Sequence, residues 1–516
     1  MTQDLARRQR IGLIGEGTYP IAEGGVSTWY NQLVTGLADH DFSVVTLVGE
    51  QTDFVWDVPD NVTSVDLIPV WDPPRRNPLR GRRAERRRVA ALVRELWAIV
   101  LRPGVADGDL ITPHELERAR AALEALSLEN NQTLLTTLLK INTSQKILEA
   151  WNRTREATPG LPPMTLSEAA QTAGLADRIL AVLDVGWPEV DVTHVSSSGP
   201  ASLIGLARKW RDGVPLVLTE HGIYLRERYL ALHALDLPWT VRAALGFLIR
   251  LISEVTYLEA DFLAPVSEFN ARWEQRLGAD YSRVRTLYNG VDESSYPVVT
   301  TEPELPTISF VGRIDPLKDL HTLLEAFQLV RATIPTAHLR LYGPVPEQNQ
   351  GYFEELTRTV DARFPDGAVT FEGPASSSMV AIEAGHVVVL SSISEGLPFT
   401  LIEAMMAGRA TVSTDVGGVR EVVGPSGGAG LVVPPRDPVS LSEGMISLLR
   451  DSEHRHMMGR LARERAVMLF TLERFHDQVR DLYTAASARR AWRDAAACDT
   501  PTPPPSRARM RALVSS

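Results

Sequence analysis

The most informative segment of the sequence for the fold is Ser391-Ser392-Ile393-Ser394-Glu395-Gly396-Leu397-Pro398-Phe399-Thr400-Leu401-Ile402-Glu403. Directly before it, the apolar run Val387–Leu390 does not alternate with polar residues, which predicts a fully buried strand. From residue 401 to residue 406, apolar side chains recur at helical spacing. Gly396 permits unusual backbone angles or the close approach of a ligand, and Pro398 suits the first turn of a helix. The stretch therefore predicts a strand, a short loop and a helix whose N-terminus can hold an anion.

Two carboxylates flank this predicted anion site. Glu395 lies in the loop and Glu403 lies inside the helix. A carboxylate would repel a phosphate, but it accepts hydrogen bonds well from hydroxyl groups. A ligand with both phosphate and several hydroxyls, such as a sugar nucleotide, fits this combination. The alternative is an ordinary surface glutamate beside a strand–helix turn.

The composition is that of a globular protein with room for two or three domains, since the chain has 516 residues. A formal net charge of −11 and a pI near 5.6 argue against general nucleic-acid binding. The single cysteine, Cys498, excludes an intrachain disulfide and suits a reducing cytoplasm. We see neither a signal-peptide core nor an apolar run of the roughly 20 residues that a membrane helix needs.

Strands and helices alternate along most of the chain, which predicts parallel sheets and an α/β fold. Residues 71–190 do not follow this alternation, and three predicted helices (84–100, 115–128 and 134–151) suggest an insertion stacked on the first domain. A second domain is expected to begin near residue 286, where Thr286–Tyr288 is predicted to form a strand. The predicted strands that bear on the site are 11–14, 43–48, 62–70, 190–195, 215–218, 308–311, 338–342, 369–371, 387–390 and 411–414.

Two further places suggest ligand contacts in the first domain. Gly24 and Gly25 stand at the start of a predicted helix, where phosphate or sugar could approach the backbone. The alternative is a turn that simply requires glycine. His221 follows a buried strand, at the sheet edge where open α/β sheets bind ligands, although it could instead be satisfied by local hydrogen bonds. Any residue of 226–228 could face donor or acceptor.

A basic run and an acidic tripeptide lie in the predicted insertion. The run could contact an anionic membrane surface or an acidic partner, or it could be a solvated loop and helix start. Asp107-Gly108-Asp109 matches a short acidic motif of metal-dependent glycosyltransferases of another fold, but such tripeptides are common by chance and we assign it no metal. The arginines of the basic run are Arg75, Arg76, Arg80, Arg82, Arg83, Arg86, Arg87 and Arg88.

Several motifs in their order along the chain resemble family 4 of the retaining glycosyltransferases. Glu395 and Glu403 resemble the E-x7-E motif of that family, and residues 310–319 resemble its Gly-Arg…Lys segment for the donor phosphate. Gly24-Gly25 resembles its N-terminal glycine loop, and residues 289–292 resemble the turn into its second domain. Residues 15–27 and 218–224 are most similar to the branch that includes the Pel exopolysaccharide glucosyltransferases. The likeness covers about residues 11–480, apart from much of 70–190.

This resemblance implies a GT-B fold, in which two Rossmann-like domains enclose a donor cleft. It implies an acceptor domain at 1–285 with the helical insertion at about 71–190. A donor domain would follow at 286–470, and a helix at 471–493 would return to the first domain. Residues 494–516, rich in Pro and Arg, are expected to be a disordered tail.

The resemblance also implies roles for individual residues. Arg313 and Lys318 would hold the diphosphate, with help from the main-chain N–H groups of Leu397 and Phe399. Glu395 would contact the hydroxyls of the donor sugar, Glu403 the ribose, and His221 the sugar near its reacting carbon. The implied donor is UDP-glucose, by the likeness to the Pel branch, and neither a cofactor nor a metal is expected. The family loop usually has a second glycine where Pro398 stands, and proline provides no N–H.

Three functions remain open from the sequence. The first is a retaining glycosyltransferase that extends a polysaccharide or modifies a small acceptor in the cytoplasm or at the inner face of the membrane. The second is a catalytically weak subunit that binds a membrane-associated polysaccharide synthase complex through the basic run and the insertion. The third is a GT-B enzyme of another reaction, a phosphorylase or an epimerase. For Arg313 and Lys318, the alternative to a phosphate site is a surface ion pair with Asp315 or Asp319.

Overall fold

The computed structural model describes residues 8–50, 52–71, 83–105, 111–128, 134–425 and 428–499. Within them the chain forms two six-stranded parallel sheets, each covered by helices. This confirms the predicted α/β architecture of two Rossmann-like halves. In both sheets the strand order changes direction next to the first strand of that half, so the carboxyl ends of the strands create a crevice there.

The first sheet has the strand order β3-β2-β1-β4-β5-β6. Strand β1 is central, because Ile11 pairs with Phe42 of one neighbouring strand and with Val192 of the other. Consecutive residues of β1 are buried, so both faces of the strand are covered. Such two-sided burial explains why the strand is a continuous apolar run. Strands β1 to β6 are Gln9–Glu16, His40–Val48, Val62–Pro69, Val192–Val195, Leu216–Leu218 and Phe262–Leu263.

Five helices of the first half, α2 to α6, form the insertion between β3 and β4. They share one apolar core with the sheet, in which Trp97 and Trp151 are fully buried. Helices α1 to α10 are Gly25–Gly36, Arg83–Val100, Pro113–Leu128, Leu134–Leu138, Thr143–Ala157, Leu166–Ala181, Pro200–Asp212, Tyr224–Ala234, Trp239–Glu259 and Glu268–Arg276.

Two predictions in the first half are wrong in detail. The single helix expected at 134–151 is two helices, α4 and α5, because Asn142 has a left-handed φ of 54° at the start of α5. Helix α6 was not expected, although Thr165 and Glu168 form a capping box at its N-terminus.

The second sheet has the strand order β12-β11-β10-β7-β8-β9. Strand β10 lies beside β7, with Val387 opposite Ile308, so the loops after these two strands are neighbours. The strand expected at residues 286–288 is wrong, because this segment belongs to neither sheet. Strands β7 to β12 are Thr307–Val311, His338–Tyr342, Val369–Gly373, Val387–Leu390, Ala410–Thr414 and Leu431–Val433.

The last helix, α18, returns to the first half of the chain. It begins after Thr471, which bridges to Val291, and places Phe475, Val479 and Tyr483 in the core beneath β1. The predicted tail at 494–516 lies outside the described residues from residue 500 onward. Helices α11 to α18 are Leu320–Thr333, Gln350–Arg363, Ser378–Glu383, Phe399–Met406, Val419–Val423, Pro438–Arg450, Ser452–Leu469 and Leu472–Asp499.

No helix in the described part of the chain is both long enough and apolar enough to cross a bilayer.

Candidate active site

A cavity of about 490 Å³ separates the carboxyl ends of the two sheets. One wall, which we call the first-domain wall, includes Gly24, Gly25 and His221. The opposite wall, the second-domain wall, includes Arg313, Lys318 and the loop from Ser394 to Thr400. The structure thus brings together in one cleft ten of the eleven residues singled out in the sequence, and the exception is Glu403.

An ion pair lies at the centre of the second-domain wall. The ammonium of Lys318 lies 2.5 Å from Glu395 Oε1, and Ser392 Oγ donates to the same oxygen at 2.6 Å. Main-chain hydrogen bonds hold the two loops together, since Ile393 N donates to Leu317 O at 2.9 Å. The ammonium is therefore fixed at the cleft by a carboxylate from the neighbouring loop rather than extended into solvent.

Arg313 lies on the same wall and, within the described part of the chain, has no carboxylate within 4.0 Å. The two acids that were the candidate ion-pair partners of Arg313 and Lys318 accept hydrogen bonds from other groups. Asp315 accepts from Leu317 N at 2.9 Å, and Asp319 accepts from Thr322 Oγ1 at 2.7 Å. The surface ion pairs that were the alternative for Arg313 and Lys318 are not formed, so the wall presents a positive group to the cavity.

Gly396 is the point where the two walls touch. A Cβ atom at this residue would overlap with the carbonyl oxygen of His221, so only glycine fits the contact. The next residue is tied across the domain junction as well, because Asn289 Nδ2 donates to Leu397 O at 2.8 Å. The loop that carries Glu395 is thereby held against the first domain.

The helix after this loop starts one residue later than expected. Pro398 occupies the N-cap position with a φ of −72°, and Phe399 is the first residue of α14. Phe399 also contacts the first-domain wall: a Cβ added to Gly25 would lie 3.5 Å from its ring. Gly24, the N-cap of α1, has a φ of 148°, which strongly favours glycine.

His221 carries a neutral imidazole on the first-domain wall. Burial lowers the pKa of His221 to about 3. Its ring packs edge-on against Trp29 with 4.8 Å between centroids, and among the described residues its buried Nε2 has no hydrogen-bond partner. The imidazole can thus offer a hydrogen bond without adding a charge.

Glu403 does not reach the wall of the cavity. It lies on α14 behind the loop, where burial raises the pKa of its carboxyl and hydrogen bonds with Ser378 and Tyr296 partly offset that effect. Since these two hydroxyls already hold the carboxyl, the structure gives no direct contact between Glu403 and the cleft.

The sequence did not single out Glu16, which also lines the cleft. Its Oε2 accepts from Tyr224 Oη at 2.7 Å, and its Oε1 accepts from Ala201 N at 2.9 Å. Its position at the carboxyl end of β1 was the available signal. Of the residues at 226–228, Glu227 and Arg228 line the cavity, whereas Arg226 donates to Ile393 O at 3.3 Å.

The basic run and the acidic tripeptide lie away from this cleft or outside the described residues. Arg83, Arg86, Arg87 and Arg88 belong to α2, while Arg75, Arg76, Arg80 and Arg82 fall in the undescribed segment 72–82. Asp107-Gly108-Asp109 falls in the undescribed segment 106–110. Where residues are described, no group of three or more His, Cys, Asp or Glu side chains is arranged to hold a metal ion.

Comparison with protein families decides the classification. The profile of the family described as "Domain of unknown function (DUF3492)" matches residues 9–282, more than half of the chain. The chain belongs to this family. The profile "Glycosyl transferases group 1" matches residues 294–465, which contain Arg313, Lys318 and the loop of Glu395. This member of the DUF3492 family is therefore a glycosyltransferase.

Curated relatives agree with that classification. The chain is 29% identical over 314 residues to D-inositol 3-phosphate glycosyltransferase of Pseudarthrobacter chlorophenolicus, which covers 57% of this chain and 72% of the relative. It is 25% identical over 339 residues to N-acetyl-alpha-D-glucosaminyl L-malate synthase of Bacillus anthracis, covering 62% and 79%.

Solved structures share the fold. HepE of Anabaena, in complex with UDP and glucose, superposes with a TM-score of 0.58 at 14% identity over 93% of this chain and all of HepE. Sucrose-phosphate synthase of Thermosynechococcus elongatus superposes with a TM-score of 0.60 at 18% identity, again over 93% of this chain and 100% of the other. The chain thus has the GT-B fold, as the sequence predicted.

Proposed function

We propose that this enzyme transfers glucose from UDP-glucose to a polysaccharide or small acceptor, with retention of the anomeric configuration. The observation that carries the proposal is the second-domain wall, where Arg313, which has no ion pair among the described residues, and the Lys318–Glu395 pair face the first domain across the cleft. HepE, which shares the fold, was crystallised with UDP and glucose. The resemblance to the Pel branch of family 4 supports glucose as the sugar and exopolysaccharide as the product.

The departing diphosphate gains negative charge in the transition state, and fixed cations nearby stabilise it. Arg313 can bind two oxygens through its planar guanidinium, whereas Lys318 acts as a point charge held in place by Glu395. When the diphosphate is bound, Lys318 would share its protons between a phosphate oxygen and Glu395. Phe399 and Thr400, the first two residues of α14, line the same cavity, and their N–H groups would add to this stabilisation, since the first N–H groups of a helix have no partner within it.

The first-domain wall would hold the sugar. A neutral His221 can donate a hydrogen bond to a hydroxyl close to the reacting carbon, and it brings no positive charge to compete with the developing cation on the sugar ring. Glu395 and Glu227 supply acceptors for the remaining hydroxyls. Retention then requires the acceptor to attack from the face that the diphosphate leaves, with a diphosphate oxygen accepting the proton of the acceptor.

Nucleoside diphosphate release from a panel of sugar nucleotides tests the proposal. We expect UDP-glucose to be the best donor, product with the donor's anomeric configuration by proton NMR, and unchanged rates after chelator treatment. Arg313→Ala and Lys318→Ala should each lower kcat by about 10³-fold, since each removes a charge contact to the transition state. Arg358→Ala and Lys140→Ala, exposed sites elsewhere, are matched controls. Near-normal rates in both cleft variants would overturn the diphosphate assignment.

The same panel addresses the other role. If no sugar nucleotide is turned over, the catalytic proposal fails and a binding role in a membrane polysaccharide synthase complex becomes the better account. Its contact surface would then include the arginines of α2, of which Arg83, Arg87 and Arg88 are exposed.

A further inference from the structure

A second cavity of about 960 Å³ lies in the first domain, directly beside the donor cleft. It is bounded by helix α6 of the insertion, by α8 and α9, and by the chain that follows β2. A volume of this size is at the upper end of what small-molecule sites in proteins offer, about 300–1,000 Å³.

The wall of this cavity is mainly aliphatic. Leucine, valine and isoleucine side chains from the sheet, the insertion and α8–α9 converge on it, and Leu235 at its rim is 52% exposed. An apolar surface left open in this way favours an apolar occupant. The aliphatic side chains include Leu47, Val48, Leu175, Ile179, Leu232 and Leu245.

The neighbouring undescribed segment, residues 72–82, is an unsuitable occupant by its sequence. Seven of its eleven residues are Arg or Pro, and its one aliphatic side chain is Leu79. Such a segment offers little apolar surface to cover an aliphatic cavity of this volume.

Three polar side chains line both the second cavity and the donor cleft and form the boundary between them, which we call the neck: Glu16, Tyr224 and Arg228. The Glu16 carboxylate is held by Tyr224 and by the start of α7, as described above. The guanidinium of Arg228 lies 5.0 Å from the centre of the Tyr224 ring. A molecule seated in the aliphatic cavity would therefore present its polar end at this neck, within the donor cleft.

We propose that this cavity binds an aliphatic chain of the acceptor, whose hydroxyl-bearing head group lies at the neck beside the donor sugar. This inference rests on the proposed function and specifies the chemical class of its acceptor: an amphipathic glycoside with an alkyl or prenyl tail. Helix α6 of the insertion, which contributes no lining residue to the donor cleft, thereby forms one wall of the tail site.

Binding of octyl β-D-glucopyranoside below its micellar concentration, compared with glucose by isothermal titration calorimetry, tests the cavity. We expect the octyl glucoside to bind at least tenfold more tightly, because its chain leaves water. Gly174→Leu should remove this advantage, since Gly174 lines the cavity on α6 and a Cβ there meets open space. Gly351→Leu is the matched control, a helical glycine with equal space outside the cavity.

A second variant tests the same cavity in case Gly174→Leu does not fold. Leu235→Lys places a charge at the exposed rim of the cavity and should weaken octyl glucoside binding at least fivefold, whereas Leu461→Lys, an exposed site on α17, should not. Equal affinities for glucose and octyl glucoside, or an octyl advantage that survives in both Gly174→Leu and Leu235→Lys, would overturn the assignment of the cavity.

Transfer assays separate this inference from the proposed function. With UDP-glucose, octyl glucoside should be extended with a KM at least tenfold below that of glucose, detected as a diglucoside by mass spectrometry. Transfer to glucose but not to bound octyl glucoside would overturn the acceptor assignment while the donor assignment stands. Octyl glucoside binding without turnover of any donor would overturn the proposed function and, with it, the acceptor role of the cavity.

Discussion

Two glutamates, one in each domain, have pKa values that shift in opposite directions. In the second domain, Glu302 lies 2.7 Å from Arg455, and although burial alone would raise its pKa, Arg455, His386 and His456 lower it to about 2. In the first domain, Glu274 is fully buried and neither of its oxygens has a partner among the described residues. Burial raises its pKa well above the ordinary range, and the nearby Glu220 adds to this effect.

The difference lies in the partners of each carboxyl group. Glu302 forms ion pairs with Arg455, at 2.7 Å, and Arg409, at 3.7 Å, near the amino ends of β7, β10 and β11 and away from the cleft. In the first domain, burial raises the pKa of Glu220 to about 7, while hydroxyls rather than cations contact it: Ser198 and Tyr257 donate to it, each at 2.7 Å.

Gly396→Ala attacks the junction of the two walls and should have the largest effect. The new methyl group overlaps with the backbone of His221, so the loop of Glu395 must move away from the first domain. We expect at least a 100-fold loss of kcat/KM and about 3 kcal/mol of destabilisation, measured by turnover and urea unfolding. Gly25→Ala is the control for stability alone, because its Cβ would make an ordinary contact with Phe399 at 3.5 Å. Equal stability losses in both variants would contradict this account.

Glu302→Gln removes the negative charge that pairs with Arg455 in the second domain. Arg455 is buried and would lose its ionic partner, so we expect about 2 kcal/mol of destabilisation at pH 7. Because the folded-state pKa lies below the ordinary 4.5, the contribution is present above pH 4.5 and disappears as the pH falls toward about 2.

Thermal unfolding of the two proteins from pH 7 to pH 2 measures that contribution. Glu304→Gln, an exposed site two residues along the same connection, is the matched control. A gap between wild type and Glu302→Gln that persists unchanged to pH 2 would show that the ionic account of this cluster is wrong.

Glu274→Gln should stabilise the protein, in contrast to Glu302→Gln, and the change in the free energy of unfolding should be smaller. A carboxyl whose folded-state pKa is raised destabilises the fold increasingly as the pH rises above its ordinary 4.5, whereas glutamine does not titrate. We expect the variant to be about 1 kcal/mol more stable at pH 8 and equal to wild type at pH 4, by urea unfolding at both values. The exposed Glu156→Gln should change neither. Destabilisation at pH 8 would mean that the Glu274 carboxylate has a partner.

The smallest expected change concerns His221. Since its pKa is lowered to about 3, its imidazole signals should stay constant between pH 5 and pH 8 in ¹H–¹³C NMR spectra. The His221→Gln variant identifies which signals belong to His221. Denatured protein provides the reference, because an unperturbed histidine has a pKa of about 6.5. A midpoint inside this pH window would place a charged histidine on the sugar side of the cleft.

The sequence predicted what depends on local pattern. The loop from Glu395 to Phe399 and the segment with Arg313 and Lys318 sit at the ends of apolar strands, and such strands predict a parallel sheet with its ligand at that edge. The GT-B fold and the glycosyltransferase class, which the resemblance to family 4 implied, are confirmed. The roles of individual residues remain predictions, to be decided by the variants above.

What the sequence did not predict depends on contacts between distant segments. Whether Glu403 faces the cleft is decided by Tyr296 and Ser378, more than a hundred and about 25 residues away in sequence, respectively. The pairing of Glu16 with Tyr224 spans 208 residues. The second cavity lies between the insertion and helices α8 and α9. The sequence of the insertion does not follow the alternation of strands and helices, so its position could not be predicted.

Helix α18 has a consequence for the order in which the chain matures. It supplies Phe475, Val479 and Tyr483 to the core under β1, yet it is synthesised only after the second domain. That face of the first-domain core therefore stays uncovered until translation has passed through the second domain.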